Sequence, residues 1–162
     1  MRTIHIKDIV DEDFVNYKEP AMSIATSQCT FKCEKESGVR CCQNSALAQM
    51  ESVIIPDEDV IVRYLKNPIT SAIVFGGLEP FDQFDEIYNF LSLLRLLYEC
   101  DDKVVIYTGY NKTEILSRVE QLSVFKNIII KFGRFIPNQE RHYDEVLGVY
   151  LASPNQYAEV VS

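Results

Sequence analysis

The sequence is poor in glycine, proline and basic residues. It has 6 Gly and 6 Pro among 162 residues and no Trp, which excludes collagen-like and low-complexity chains. Lys and Arg total 16 against 24 Asp and Glu, a formal net charge of −8, so a protein that mainly grips nucleic-acid phosphates is not expected. No apolar run reaches the roughly 18 residues of a membrane span; the best candidate, residues 91–98, is short and contains Arg95.

What is present indicates one folded domain. A chain of 162 residues, 47% hydrophobic and 25% charged, is long enough to bury a core without disulfides. We therefore expect a single domain over residues 1–162. Residues 1–14 are charged and strand-like, unlike a signal peptide. The expected compartment is the cytoplasm, with neither a membrane nor a nucleic acid as partner.

Apolar periodicity predicts alternating strands and helices. Strands are predicted at 21–26, 71–75, 103–107 and 127–132, with short ones at 146–151 and 158–161; helices are predicted at 45–50, 57–66 and 82–99, and after a Thr113 cap. This alternation favours an α/β fold with a largely parallel sheet. Ligands gather at the carboxyl ends of such strands. The cysteine segment after residue 26 and the loops 76–80 and 108–110 are therefore expected to form one rim.

Cysteines cluster after the first of these buried strands. Cys29, Cys33, Cys41 and Cys42 fall within 14 residues, whereas Cys100 stands alone. Clustered thiols in a reducing compartment are typical of metal or redox sites. Adjacent cysteine side chains tend to point apart, so we expect three ligands and one bystander. Spacing alone leaves open a three-cysteine [4Fe–4S] cluster, a closed zinc site or free thiols.

A diglycine loop follows the next strand. Gly76 and Gly77 let backbone approach a ligand without hindrance from a Cβ atom. Glu79 offers a carboxylate that can accept hydrogen bonds from an ammonium group, and Pro80 stiffens the exit. Thr108, at the end of a later strand, is placed to line the same pocket. By itself, a Gly-Gly pair before a helix is more typical of a simple turn.

Taken together, the two loops resemble the radical S-adenosylmethionine (SAM) superfamily, which carries a C-x3-C-x2-C loop and a G-G-E-P loop. The segments 107–110, 133–136 and 151–156 read YTGY, GRFI and LASPNQ. They resemble the Y-T-G-Y, D-G-x-F and S-x-N-Q segments of the activating proteins of anaerobic ribonucleotide reductase. Four departures are visible: the spacing Cys33-x8-Cys42, Cys41 where the family has an aromatic residue before the third cysteine, Leu78 inserted before Glu79, and Phe132 where the family has Asp.

The resemblance implies a fold, two cofactors and a set of ligands. The fold would be a short, incomplete (β/α) barrel of the radical SAM type. Cys29, Cys33 and Cys42 would hold a [4Fe–4S] cluster, with Cys41 as the alternative third ligand. SAM would bind at the remaining candidate residues, which are Gly76, Gly77, Glu79, Pro80 and Thr108.

The resemblance also implies an activity. Reductive cleavage of SAM would give a 5′-deoxyadenosyl radical, which removes a hydrogen atom from a glycine of a partner enzyme. The implied partner is the large subunit of anaerobic ribonucleoside-triphosphate reductase, and the implied electron donor is a reduced flavodoxin or a ferredoxin-type protein. No protein acid–base pair is needed, so no catalytic side chain is assigned.

Two other functions stay open on the sequence. One is a small radical SAM enzyme with a different substrate, and the other is a non-catalytic zinc-binding interaction module. Several charged residues have a plainer interpretation than either site. The acids at 57–59 are expected at a helix start, and Lys131, Arg134 and Arg141 are expected as scattered surface charges.

Overall fold

The computed structural model describes residues 1–28 and 45–162, so all four clustered cysteines lie outside the described residues. The strands are β1 (Thr3–Asp13), β2 (Ala21–Thr26), β3 (Val53–Pro56), β4 (Ala72–Gly77), β5 (Lys103–Tyr107), β6 (Ile128–Phe132), β7 (His142–Asp144), β8 (Val149–Leu151) and β9 (Tyr157–Val160). The α-helices are α1 (Ser45–Ala48), α2 (Asp57–Lys66), α3 (Phe84–Ser92) and α4 (Leu116–Leu122).

The described strands form a mixed seven-stranded sheet in the order β3-β1-β2-β4-β5-β6-β9, and β7 and β8 form a separate hairpin. The four neighbours β2, β4, β5 and β6 run parallel. Strands β1, β3 and β9 add antiparallel neighbours at the two sides. The α/β class is thus present, with its parallel strands in the centre of the sheet. The incomplete barrel of the radical SAM type stays a prediction.

The clearest apolar patterns in the sequence correctly predicted where several helices and strands begin and end. Helix α2 and strands β2 and β5 have the predicted bounds. The long helix predicted at 82–99 begins as a 3₁₀ turn at Pro80–Gln83 and ends as a π turn at Leu93–Leu97. The predicted Thr113 cap is wrong, because Asn111 is the N-cap of the 3₁₀ turn Lys112–Ile115 and forms a capping box with Glu114 inside that turn. Among residues 1–28 and 45–162, no helix has the length and apolarity to cross a bilayer.

The two faces of the sheet are packed differently. On one face, strand residues such as Ile24, Phe75 and Ile106 join helix residues in the main apolar core. On the opposite face, here called the inner face, Tyr17, Leu147 and Leu151 cover a smaller cluster. Its sheet residues are Ala21, Ala72, Val74, Val105, Ile129 and Ala158. Because side chains alternate along a strand, Ala25, Gly76, Tyr107 and Lys131 also lie on the inner face.

Asp57 begins α2 as predicted, yet its carboxylate is buried. The residue is 0% exposed, and neither carboxylate oxygen has a hydrogen-bond partner in the described part of the chain. Its backbone N–H donates to the Arg2 carbonyl at 3.0 Å. Burial and repulsion from Glu86, opposed by attraction to Arg2, raise the pKa of Asp57 to about 6.

Replacing this carboxyl group should stabilise the protein above neutral pH. The pKa of Asp57 in the folded protein, about 6, lies above the reference value of 3.8. The folded state therefore holds the proton more tightly, and stability falls as pH rises from about 4 through 6. Asp57→Asn should remove this fall and raise the free energy of unfolding by up to about 3 kcal/mol at pH 8. Urea unfolding at pH 5 and pH 8 measures it.

Asp59→Asn is the matched control, since Asp59 is an exposed acid in the same helical turn. It should change the free energy of unfolding by less than about 0.5 kcal/mol at either pH. If the free energy of unfolding depended on pH equally in wild type and Asp57→Asn, the conclusion that burial disfavours the charged form of Asp57 would be contradicted.

Candidate functional site

The cysteine segment begins against the glycine–glutamate loop. The backbone N–H of Glu79 donates to the Gln28 carbonyl at 2.7 Å, and that of Leu78 donates to Thr26 at 3.3 Å. The Ser27 N–H donates to the Gln83 side chain at 2.9 Å. Gln28 immediately precedes Cys29. The segment that carries the predicted ligands therefore leaves the sheet next to the loop 76–80.

The two glycines of this loop have different structural roles. Gly77 has φ +79°, and a Cβ atom there would lie 2.6 Å from Ala25 Cα and 2.6 Å from the backbone nitrogen of Thr26. Only glycine fits such a position without moving the backbone of β2. At Gly76, no heavy atom of the described residues lies within 4 Å of the place that a Cβ atom would occupy. Gly77 is thus required by the fold, whereas Gly76 leaves space on the inner face.

Glu79 connects the loops that follow β4 and β5. It is 6% exposed, and it accepts hydrogen bonds from the N–H groups of Phe81 at 2.9 Å and Gly109 at 2.7 Å. The Thr108 hydroxyl donates to the same carboxylate at 2.9–3.0 Å. Burial raises the pKa of Glu79 to about 7, and the three hydrogen bonds oppose this rise. Recognition of an ammonium group by Glu79 stays a prediction; its contacts show that it positions two loops.

Thr108 and Pro80 contribute to this arrangement rather than standing open to solvent. Thr108 is 2% exposed, and its hydroxyl also accepts the Tyr110 N–H at 3.0 Å. Pro80 is buried at the first position of the 3₁₀ turn, where its missing N–H costs no hydrogen bond. Both residues therefore fix the shape of the rim.

The rim continues to the loop after β6. A Cβ atom at Gly109 would lie 3.6 Å from Glu79 Oε1 and 3.7 Å from Arg134 Cγ. Arg134 donates to both carboxylate oxygens of Glu114, at 2.8 and 2.7 Å. It is 9% exposed, so the expectation of a surface charge at this position is wrong. The buried fork instead holds the loops after β5 and β6 together.

The tail motifs meet at the same place. The Asn155 side chain donates to the Arg134 carbonyl at 2.9 Å, and the Gln156 side chain donates to the Gly133 carbonyl at 3.3 Å. Gly133 has φ +105°, and a Cβ atom there would lie 2.9 Å from the Asn155 carbonyl oxygen. The segments 133–136 and 151–156, far apart in the chain, are therefore packed against each other beside the strand ends.

Sequence reasoning missed Lys131, which it placed on the surface. Lys131 is 6% exposed. Its Nζ donates to the Gly133 carbonyl at 3.0 Å and lies 5.7 Å from the centre of the Tyr107 ring. The signal that could have found it was its position inside the apolar run IIIKF of β6, where a residue of a fully buried strand has no solvent-facing side.

Other candidate metal ligands are sparse in the described residues. Cys100 has a free thiol that is partly buried, and burial raises the pKa of this thiol. Within residues 1–28 and 45–162, no group of three or more His, Cys, Asp or Glu side chains is arranged to hold a metal ion.

The chain is an α/β protein in which the loops after β4, β5 and β6 converge at the carboxyl edge of the parallel strands. Folds of this class bind ligands at that edge. Residues 21–153 match the family model described as a 4Fe-4S single cluster domain. This match covers more than half of the chain, which therefore belongs to that family. A comparison with curated proteins finds no match. Family membership supports the iron–sulfur interpretation of the cysteines over the zinc and free-thiol interpretations.

Proposed function

We propose that this chain is a radical SAM enzyme that generates a glycyl radical on a partner protein, the large subunit of anaerobic ribonucleoside-triphosphate reductase. Its cofactors are a [4Fe–4S] cluster held by Cys29, Cys33 and Cys42, and SAM. The four clustered cysteines lie outside the described residues. The proposed electron donor is a reduced flavodoxin or a ferredoxin-type protein.

One observation carries the proposal. The hydrogen bond from Glu79 N–H to the Gln28 carbonyl, at 2.7 Å, joins the residue before Cys29 to the diglycine loop. In a chain of the 4Fe-4S single cluster family, this contact supports a cluster beside Gly76. A ligand of the cluster then has open space on the inner face, because no described atom lies within 4 Å of the position of a Gly76 Cβ.

The protein's own part in the reaction is positioning. A [4Fe–4S] cluster held by Cys29, Cys33 and Cys42 would supply the electron that splits SAM into methionine and a 5′-deoxyadenosyl radical, which would take a hydrogen atom from glycine. Gly76 and Gly77 present backbone groups at the rim, and Glu79 holds their loop against Gly109. The buried cluster of Tyr17, Leu147 and Leu151 excludes water from the deeper part of the inner face.

The substrate assignment rests on the tail segments. The segments 107–110, 133–136 and 151–156 carry the resemblance to the activating proteins, and their described residues meet at the rim through Arg134 and Asn155. Arg134 lies 6.0 Å from the centre of the Tyr110 ring. Contact among segments so distant in sequence supports their acting as one surface, here proposed to receive the glycine-bearing loop of the reductase.

The test is the electronic response of the cluster to SAM. Protein reconstituted anaerobically with iron and sulfide should give a reduced electron paramagnetic resonance spectrum that shifts when SAM is added, and it should form 5′-deoxyadenosine with strong reductant. Mixing with the reductase large subunit should produce a glycine-centred radical. Ala at Cys29, Cys33 or Cys42 should abolish all three results.

Cys41→Ala is the matched control and should retain the cluster and the spectral shift. If Cys41→Ala instead loses the cluster and Cys42→Ala keeps it, the third ligand is reassigned. No SAM-induced shift together with no 5′-deoxyadenosine would overturn the proposal, and one zinc ion per anaerobically purified chain would favour an interaction module.

A further inference from the structure

A cavity lies at the amino-terminal edge of the parallel strands, opposite the rim. Its volume is about 230 Å³, and one side of it is open to solvent. Lys103 begins β5, Asn127 directly precedes β6 and Val160 ends β9, and all three line the cavity. Strand β5 has five residues, so the cavity is roughly 15 Å from the carboxyl edge at about 3.3 Å per residue. This amino-edge cavity is therefore separate from the loops that form the rim.

Two loops that are distant in sequence form one wall of the cavity. The backbone N–H of Lys18 donates to the Leu147 carbonyl at 2.8 Å. Gly148 has φ +72°, and a Cβ atom there would lie 2.6 Å from the Cβ atom of Lys18, so glycine is what permits this close approach. Tyr17 and Val146, next to these contacts, line the cavity. The wall is thus held in place by backbone contacts rather than by flexible side chains.

The floor of the cavity is aliphatic. Ile129 and Val160 pair in the antiparallel ladder of β6 and β9, and Val146 joins them in the lining. Val160 is 59% exposed, whereas Ile129 is buried. Ligand sites are typically concave and mainly apolar, with a few polar groups that fix the orientation of the ligand. The floor therefore suits the hydrocarbon part of a small organic molecule, which would cover Val160.

The charges in the lining are positive. Lys18 and Lys103 line the cavity, and among residues 1–28 and 45–162 no carboxylate does so. Glu19, which lies beside them, uses one oxygen for Lys103 at 2.9 Å and the other for the Ser71 hydroxyl at 3.1 Å. Lys18 is exposed and belongs to no ion pair of the described residues. The cavity thus offers one cation shared with Glu19 and a second at its mouth.

Residues 29–44 are attached to the described chain at the opposite edge of the sheet. Gln28, on one side of this segment, accepts the Glu79 N–H at the rim. On the other side, the Ala48 carbonyl lies 3.5 Å from the Nζ atom of Lys7, which is beside the carboxyl end of β2. The lysines of the amino-edge cavity are therefore remote from both points of attachment.

We propose that the amino-edge cavity is a second ligand site, which binds a small aliphatic carboxylate. The carboxylate accepts charge-assisted hydrogen bonds from Lys18 and Lys103, and the hydrocarbon part lies over Ile129 and Val160. A singly charged group suits the site, because Lys103 is already shared with Glu19 and the aliphatic floor has no further donors. None of these residues belongs to the rim, so this inference does not depend on the proposed function.

Hexanoate is the probe, and hexanol and hexylammonium are controls with the same carbon chain but no charge or a positive charge. Binding is observed through the backbone amide signals of the ¹⁵N-labelled full-length protein at constant ionic strength. Hexanoate should shift the signals of Tyr17, Val146 and Ile129 saturably, with a Kd between about 0.1 and 10 mM, and should leave the Gly109 signal at the rim unchanged. Hexanol and hexylammonium should each bind at least about tenfold more weakly.

Lys18→Met tests the cation at the mouth of the cavity. Because Lys18 is exposed, the substitution should leave the urea unfolding midpoint unchanged, and the Kd of hexanoate should rise about tenfold or more. Lys126→Met is the matched control: its side chain is 79% exposed and precedes Asn127 at the same edge, but it does not line the cavity. There the Kd should stay within about twofold of wild type.

Three results would each overturn the inference. They are the absence of a saturable response to hexanoate, an equal Kd for hexanoate and hexanol, and a Kd for hexanoate that is the same in Lys18→Met as in wild type. Each measurement needs neither SAM nor a partner protein, so its outcome is independent of the response of the cluster to SAM.

Discussion

Gly77→Ala should lower the free energy of unfolding by about 3 kcal/mol or more. Two effects combine: the left-handed backbone at φ +79° penalises a Cβ atom by roughly 1–2 kcal/mol, and overpacking against β2 adds about 1–3 kcal/mol. The atoms that a methyl group would strike are backbone atoms of Ala25 and Thr26, at 2.6 Å. Since these atoms belong to the central sheet, they cannot give way as a flexible side chain would. Urea unfolding of the two proteins measures the loss.

Gly76→Ala is the matched control, one residue earlier in the same strand. No described heavy atom lies within 4 Å of the position of its Cβ, so the free energy of unfolding should stay within about 1 kcal/mol of wild type. The same methyl group would occupy the space proposed for SAM, and the affinity for SAM should fall at least about tenfold. Equal unfolding midpoints for the two alanine variants would contradict the structural role assigned to Gly77.

Glu79→Ala should have the second largest effect, a loss of about 2–5 kcal/mol at pH 6. It removes the acceptor of three buried donors, on Phe81, Thr108 and Gly109, and it leaves a void. The loops after β4 and β5 should separate, so amide hydrogen exchange at Phe81 and Gly109 should accelerate. Urea unfolding and exchange measurements test the two consequences, and the affinity for SAM should fall with them.

Glu79→Gln separates the lost acceptor from the lost charge. The pKa of Glu79, about 7, lies above the reference value of 4.5, so stability contributed by the protonated form is lost as pH rises from about 4.5 through 7. Glutamine keeps the volume and cannot ionise; this variant should lose less than Glu79→Ala and lack that pH dependence. Asp85→Ala, an exposed acid in the next turn, should cost no more than about 1 kcal/mol. If Glu79→Ala had the free energy of unfolding and the amide hydrogen exchange rates of wild type, the role of Glu79 in joining the loops after β4 and β5 would be refuted.

Periodicity predicted those parts of the fold that packing alone determines. A helical spacing of three and four residues predicts a core-facing stripe at Phe84, Ile87, Leu91, Leu94 and Tyr98. The first four are buried in the main apolar core, and Tyr98 packs against it partly buried. Strand β3 escaped prediction because Val53 and Ile54 are half-exposed on a four-residue strand, without the alternation that marks one face. Strand β7 has only three residues, too few to show a period.

The candidate site was predictable in its location but less so in the roles of its side chains. The alternation of strands and helices placed the loops 76–80 and 108–110 at one edge of the sheet, since the carboxyl ends of parallel strands lie at the same edge. Glu79 accepts two of its three hydrogen bonds from Thr108 and Gly109, in a segment distant in sequence. The burial of Lys131 and Arg134 likewise depends on contacts between distant segments. Charged residues are usually exposed, and a pattern within one segment does not reveal the partner that makes burial possible.

The packing of Tyr17, Leu147 and Leu151 on the inner face closes the amino-terminal half of the parallel strands. A ligand bound on this face would contact Val74 and Val105. These residues lie two to three positions, or about 7–10 Å, before the carboxyl ends of their strands. In the proposed reaction, the reacting atoms would consequently lie close to the strand ends. A binding site this close to the strand ends suits a reactant at the tip of a polypeptide loop, because only one or two residues of the loop need to enter the site.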